Sequence, residues 1–233
     1  LMACGIKLPQ TIFAHGGWLI DNIKMSKSLG NVVKPLDLAD EYGSDALRYY
    51  LMRNMVLGQD ATFTLDSFIK CYNADLANDY GNVVNRVMVL TKKYFNSEVP
   101  QPGEYSDIDK ELIDKFTDLS PSIKKYINEL KIHELAEFIF SLIRLINKYL
   151  EDKEPWKTYK DFPEEGEVTA TTLYLSLECI RICSQLLNPI MPSKTNEVLE
   201  AINCKKINFN FGQIEIGEKV DSFPTLFPRI EIK

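Results

Sequence analysis

The sequence predicts a mainly α-helical protein, a helix bundle preceded by a small α/β segment. Three observations carry this. After residue 65, four or five segments repeat apolar side chains at three- and four-residue spacing, enough amphipathic helices to enclose a common core. Before residue 34 the texture differs, with short aromatic and β-branched runs between glycines. The composition, 45% hydrophobic and 26% charged, is that of an ordinary globular chain and excludes a disordered tail, a collagen-like repeat or a low-complexity linker.

Each element follows from local chemistry. Thr11-Ile12-Phe13-Ala14-His15 and Gly17-Trp18-Leu19-Ile20 are expected as two short strands parted by glycine. The polar stretch 21–31 follows as a loop, and because its lysines repel one another it is expected to be less ordered than the helices. Pro35 suits a first helical turn, and Leu36, Leu38 and Ala39 give that helix an apolar face ending before Gly43. Ser44 and Asp45 can cap a second helix reaching Arg53, with Leu47, Tyr50 and Leu51 at i, i+3 and i+4. Ala61-Thr62-Phe63-Thr64 reads as an extended link. One long helix is expected over 65–95, before the loop Pro100-Gln101-Pro102-Gly103. Two more span 108–129 and 133–152, although no glycine or proline marks the break between them. A polar segment, 151–167, carries Glu154-Pro155-Trp156. The last long helix, 169–187, stops at Asn188-Pro189, where proline has no N–H to donate. A short helix over 193–202 and extended pieces from 208 onward complete the chain.

Charge and cysteine usage exclude several classes. A net charge of −6 argues against coating nucleic acid by bulk charge, while leaving room for a local RNA site. The most apolar run, 135–150, is broken by Glu137, Arg144 and Lys148, so no transmembrane helix is expected. Leu1-Met2-Ala3-Cys4-Gly5 lacks the basic start and apolar core of a signal peptide. Cys4, Cys71, Cys179, Cys183 and Cys204 form no CxxC pair, and reduced, buried thiols of a cytoplasmic protein fit them better than a disulfide or zinc framework. In His133-Glu134-Leu135-Ala136-Glu137 a glutamate stands where a zinc-protease helix needs its second histidine, so no metal site is expected.

The sharpest chemical feature is Lys24-Met25-Ser26-Lys27-Ser28. Two lysines three apart, with hydroxyls between them on a loop, form a cationic claw that can wrap a polyphosphate, because ammonium groups follow moving phosphate oxygens. On charge alone, a solvated lysine-bearing turn is the simpler reading. The string, followed by Leu29-Gly30-Asn31, resembles the signature loop of class I aminoacyl-tRNA synthetases. Phe13-Ala14-His15-Gly16-Gly17-Trp18, Val32-Val33 and Asp45-Ala46-Leu47-Arg48-Tyr49-Tyr50-Leu51 are similar to the end of the methionyl-tRNA synthetase catalytic core. Ala74-Asp75-Leu76-Ala77-Asn78-Asp79-Tyr80-Gly81-Asn82 is similar to the entry into that family's anticodon-binding helices, and Leu226-Phe227-Pro228-Arg229-Ile230-Glu231 to the segment that closes them.

The resemblance covers nearly the whole chain. It implies that residues 1–60 are the end of a Rossmann-type catalytic domain with its signature loop and stem-contact helices. Residues 61–233 would be the α-helical anticodon-binding domain with a C-terminal return segment. ATP with Mg is the implied substrate of the parent protein. The implied partners are the methionine tRNA anticodon stem-loop and an upstream catalytic domain of the same protein, with neither membrane nor DNA. In this family the loop's lysines stabilise the transition state in which the methionine carboxylate attacks the α-phosphorus of ATP, neutralising charge where it develops. By resemblance, Lys27 is the main catalytic candidate and Lys24 its partner, with Met25, Ser26 and Ser28 beside them at ATP. The serines either donate to phosphate or shape the loop. His15 either faces the nucleotide or is a structural histidine at a strand end.

A second group lies further on. Asn82 and Arg86 are four apart and project from one helix face, and Arg86, Lys92 and Lys93 stand without an acidic residue between Tyr80 and Phe95. By pattern alone this is an exposed helix face, and Trp156 is either a core anchor or a stacking plate. The resemblance instead assigns Asn82, Arg86 and Trp156 to the anticodon. Single-stranded RNA is recognised by bases splayed onto aromatic faces and hydrogen-bonded on their edges. An amide and a guanidinium near an indole can distinguish cytosine, whose O2 and N3 accept and whose N4 donates; the implied base is the first anticodon nucleotide. The three side chains are expected to line one solvent-accessible patch, with Trp156 keeping part of a ring face uncovered or under a movable side chain.

Class I synthetases also need a His-x-Gly-His element. Only His15 and His133 occur here, and neither sits in such a motif. The resemblance therefore implies an isolated chain that lacks half of its active site, with the methionine pocket and a zinc-bearing insertion upstream. Two alternatives stay open at this point. An isoleucine, valine or leucine synthetase shares the loop without needing Asn82, Arg86 and Trp156. A non-catalytic tRNA-binding module fits the acidic balance and the missing element.

Overall fold

In a computed structural model, residues 1–20, 23–25, 32–161, 166–204, 206–222 and 224–231 are described. The α/β segment is a three-stranded sheet of order β2-β1-β3, with β1 at Trp18–Ile20, β2 at Ile23–Lys24 and β3 at Ala61–Phe63. β1 pairs antiparallel with β2 and parallel with β3, in the register Trp18–Ala61. The link expected at 61–64 is thus a strand. Its parallel pairing requires a crossover, supplied by helices α1 (Pro35–Tyr42) and α2 (Ser44–Asn54). The strand expected over 11–15 does not form. Ile12 is 88% exposed and Phe13 lies open beside it, so no neighbouring strand satisfies that backbone. Gly16 is required where it stands, since a Cβ there would overlap the Gln59 carbonyl. Most of the 21–31 stretch, expected as a whole to be less ordered than the helices, lies outside the described residues.

The helix expected over 65–95 is continuous but not uniform. α3 (Leu65–Cys71) passes through a π-helical stretch, Tyr72–Gly81, into α4 (Asn82–Phe95). The wider turn brings the Leu76 carbonyl against Gly81, where a Cβ would sit 2.9 Å from it. It also aims two carboxylates at other helices. Asp75 accepts from the Tyr49 hydroxyl at 2.7 Å and lies 3.8 Å from Arg53 Nε, and Asp79 faces Arg144 at 3.4 Å. Glu137 bridges Arg53 and Arg144, joining α2 to the bundle through one ion network.

The helix expected over 108–129 is two, α5 (Asp107–Phe116) and α6 (Ser120–Asn128), with Asp118 at φ 53° between them. Pro121 at the second position of α6 explains the break, because it cannot donate to the preceding turn. The expected break near 129–132 occurs at Leu130, φ 56°. Beyond it run α7 (Ile132–Lys153), a short α8 (Pro155–Asp161) inside the segment expected to be merely polar, α9 (Gly166–Leu187) and α10 (Pro192–Ala201).

α9 is buried along its whole length from Thr169 to Leu187 and packs against α4, α5, α7, α8 and α10. Most of its hydroxyls are satisfied in the core by donating to carbonyls one turn back, as Ser176 does to Thr172 and Ser184 to Ile180, each at 2.7 Å, whereas the buried Thr169 hydroxyl has no partner among the described residues. Of the five cysteines, Cys179 and Cys183 are buried here as expected, whereas Cys71 and Cys204 are half-buried and Cys4 is exposed. α9 also carries the most enclosed ion pair among the described residues. Arg181, 1% exposed, donates to both carboxylate oxygens of Glu178, at 2.9 and 2.6 Å. The same two residues hold the return segment. Arg181 donates to the carbonyls of Asn208 and Asn210, and Glu178 accepts the backbone N–H groups of Gln213 and Ile214, each at 3.0 Å. Asn73 fastens the chain's far end by a reciprocal pair of hydrogen bonds with Ile230.

A second buried carboxylate starts α5. Asp109 closes a capping box with Ser106 and accepts from the Tyr149 hydroxyl at 2.7 Å, with Lys153 Nζ at 2.9 Å. Burial pushes the Asp109 carboxyl up, but these donors outweigh it and hold it below its usual value. A lowered folded pKa makes the stabilisation fully present above the unfolded value of about 3.9 and lost as pH falls through the folded one. Asp109→Asn is therefore expected to cost about 1–3 kcal/mol at neutral pH. It should also flatten the loss of stability below about pH 4. Urea melts of both proteins from pH 7 to pH 2.5 check this; parallel curves would contradict it.

Candidate functional site

α4 is apolar on the side facing α7 and α9, where Val83, Val84, Val87 and Leu90 are buried. The spacing that buries those residues leaves Asn82 exposed and Arg86 half-buried on the outer side. Trp156 arrives from the end of α7. Glu154 adopts φ 41°, reversing the chain so that buried Pro155 starts α8 and Trp156 follows it. Thr158 fixes the reversal by donating to the Lys153 carbonyl at 3.2 Å.

The result is a contact between residues 70 apart in sequence. Arg86 Cζ lies 5.3 Å from the centroid of the Trp156 ring, within cation–π range. Trp156 is half-buried, leaning on the core. Arg86 Nη1 is buried yet has no hydrogen-bond partner. A buried donor left unpaired costs about 1–3 kcal/mol, and an arriving acceptor recovers it. The site can therefore pair a flat ring with an acceptor-rich edge.

Asn82, one turn before Arg86, faces an open groove of about 370 Å³ shared with Asn78, Asn85, Thr225 and Arg229. Residues Asn78, Asn82 and Asn85 form an amide stripe at i, i+4 and i+7, which the sequence pattern displays but which sequence reasoning singled out only at Asn82. Arg229 has no hydrogen bond or ion pair among the described residues.

The signature-loop residues are described only in part. Lys24 is exposed at the end of β2, on a strand where a loop was expected, and Met25 is half-buried after it. Ser26, Lys27 and Ser28 lie outside the described residues. His15 is exposed, with Nδ1 2.6 Å from the Gly16 carbonyl oxygen, three residues before β1 rather than at a strand end. Gly17 N–H donates to Asp60 at 2.6 Å, tying this stretch to β3. Among the described residues, no cluster of three His, Cys, Asp or Glu side chains is placed to hold a metal ion.

Comparison with known families decides the assignment. A model described as "tRNA synthetases class I (M)" matches residues 1–88, and one described as the anticodon binding domain of methionyl tRNA ligase matches residues 99–231. The chain belongs to the methionyl-tRNA synthetase family. The alternative of an isoleucine, valine or leucine enzyme gives way to that match. A methionine–tRNA ligase of Clostridium tetani is 39% identical across the whole chain, which spans 37% of that protein's length. The Thermotoga maritima ligase is 33% identical, with the chain spanning 38% of it. Mycobacterium tuberculosis methionyl-tRNA synthetase in complex with methionyl-adenylate superposes with a TM-score of 0.89 at 32% identity, covering 98% of this chain and 46% of that one. The mainly α fold behind a small α/β sheet is therefore that of the synthetase family. Among the described residues no helix is long and apolar enough to cross a membrane.

Proposed function

We propose that this chain is the C-terminal part of a cytoplasmic methionine–tRNA ligase, which activates methionine with ATP and Mg and transfers it to methionine tRNA. Residues 1–60 supply the signature loop and stem-contact helices to the active site, and residues 61–233 recognise the anticodon stem-loop. The observation that carries the RNA half is the Arg86–Trp156 contact with its unpaired, buried Nη1, one turn from exposed Asn82. The indole stacks the first anticodon base, a cytosine, while guanidinium and amide satisfy its O2 and N3. Affinity comes from local cations such as Lys92 and Lys93, since a chain of net charge −6 gives no general attraction to RNA.

In the catalytic half, Lys27, with Lys24 beside it, neutralises the charge that grows on the α-phosphate and leaving pyrophosphate. Met25, Ser26 and Ser28 shape or bond that phosphate site, with His15 near the nucleotide. Lys27→Ala in the parent protein is expected to lower the rate of adenylate formation far more than it weakens methionine binding, because its charge matters most in the transition state. Equal changes in the two would assign Lys27 to ground-state binding. The 233 residues contain no His-x-Gly-His element, so the chain alone is expected to show no methionine-dependent ATP–pyrophosphate exchange. Exchange above background would contradict this division of the active site.

A further inference from the structure

Beyond Trp156, α8 presents a second aromatic ring to α4. Tyr159, three residues on, stacks on Tyr94 with centroids 4.1 Å apart and planes at 23°. Phe95 meets Tyr159 edge-on at 6.0 Å. Lys93 Nζ lies 4.9 Å from the Tyr94 centroid and 3.4 Å from its hydroxyl oxygen, placing a cation at the rim of the stacked pair. Both tyrosines are only half-buried, and Lys92 and Lys93 are exposed. Neither lysine makes an ion pair among the described residues, and the chain has no acidic residue between Asn82 and Phe95. Arg86 and Tyr94 are eight residues apart on α4, about 12 Å along its axis. The stack therefore continues the Arg86–Trp156 surface toward the end of the helix.

We propose that Tyr94 and Tyr159, with Lys93 at their edge, form a second RNA contact that stacks a nucleotide adjoining the one taken at Arg86 and Trp156, without distinguishing its base. This rests on the anticodon reading above. Stacking tolerates any sequence because every base has a π-face, and a lysine meets phosphate as a point charge. No amide or guanidinium among the stack's members is available to select a base edge. Its structural duty is separable from this role. The Tyr159 hydroxyl donates to the Tyr94 carbonyl at 3.3 Å, satisfying one of the last carbonyls of α4, and that bond needs the hydroxyl rather than the ring face.

The test measures binding of the full chain and its variants to two synthetic anticodon stem-loops, one with cytosine and one with guanosine at the first anticodon position. Tyr159→Leu, which keeps apolar bulk but removes the ring, is expected to weaken both RNAs by about tenfold, leaving their ratio unchanged. Tyr159→Phe, which removes only the hydroxyl, should bind like the unsubstituted chain. Lys93→Ala should reduce the slope of log affinity against log salt by about 0.7, one phosphate's share in single-stranded RNA. Unchanged binding by Tyr159→Leu, in a chain that still discriminates the two RNAs, would overturn this inference and leave the Arg86–Trp156 reading standing. Loss of discrimination in Tyr159→Leu would also overturn it, showing that the ring acts by holding Trp156. No discrimination by the unsubstituted chain would instead overturn the anticodon reading, and this inference with it.

Discussion

Arg181→Ala is expected to destabilise the protein by about 3–5 kcal/mol, the range for removing one partner of a buried ion pair. The loss does not stop at the charge. Glu178, fully enclosed, would be left with only the Gln213 and Ile214 N–H groups as donors, while the carbonyls of Asn208 and Asn210 would lose theirs. Replacing both charged residues by apolar ones should not restore stability, although buried pairs elsewhere often permit it, because four backbone groups of the return segment would then be orphaned. Thermal unfolding is the measurement, with an expected drop on the order of 10 °C in Tm. A drop of a degree or two would show that the return segment is held by its apolar contacts alone.

Trp156→Ala is expected to weaken binding of a cytosine-first anticodon stem-loop by about 1–3 kcal/mol, the worth of one stacked base. A stem-loop with another first base, already bound poorly, should lose little more. Arg86→Lys sharpens the comparison. It keeps the charge but removes the planar fork whose buried Nη1 lacks a partner, so it should weaken the cytosine-first loop while leaving the other loop nearly unchanged, narrowing the discrimination between them. Fluorescence anisotropy of labelled stem-loops reads both effects. Equal losses for the two RNAs in Trp156→Ala would reduce the indole to a stacking surface without a role in choice.

The helical part of this fold was legible because most of its helices bury one face, and spacing reports that directly. What the pattern could not show depends on distant partners. β3 is a strand only because β1, some 40 residues earlier, pairs with it, and residues 11–15 are not one because nothing does. The π-helical stretch keeps the apolar rhythm of an α-helix closely enough to hide in it; its wider turn is held by Gly81 and by ion pairs from Asp75 and Asp79 to α2 and α7. The break between α5 and α6 had a local signal in Pro121 that the periodicity outweighed. For the site, spacing alone placed Asn82 and Arg86 on one face, but Trp156 joined them through family resemblance. The fold adds the reason the tryptophan arrives, a left-handed Glu154 followed by proline. Asn78 and Asn85 were visible as a stripe, whereas Tyr159 became notable only once its ring lay on Tyr94.

Asn82, Arg86 and Trp156 are expected to choose a base. The most direct measurement of that choice is the affinity of the unsubstituted chain for two anticodon stem-loops that differ only at the first anticodon nucleotide, at one fixed salt concentration. The cytosine loop should bind at least tenfold more tightly, a difference of about 1.4 kcal/mol or more. Equal affinity for the two loops would contradict such a choice.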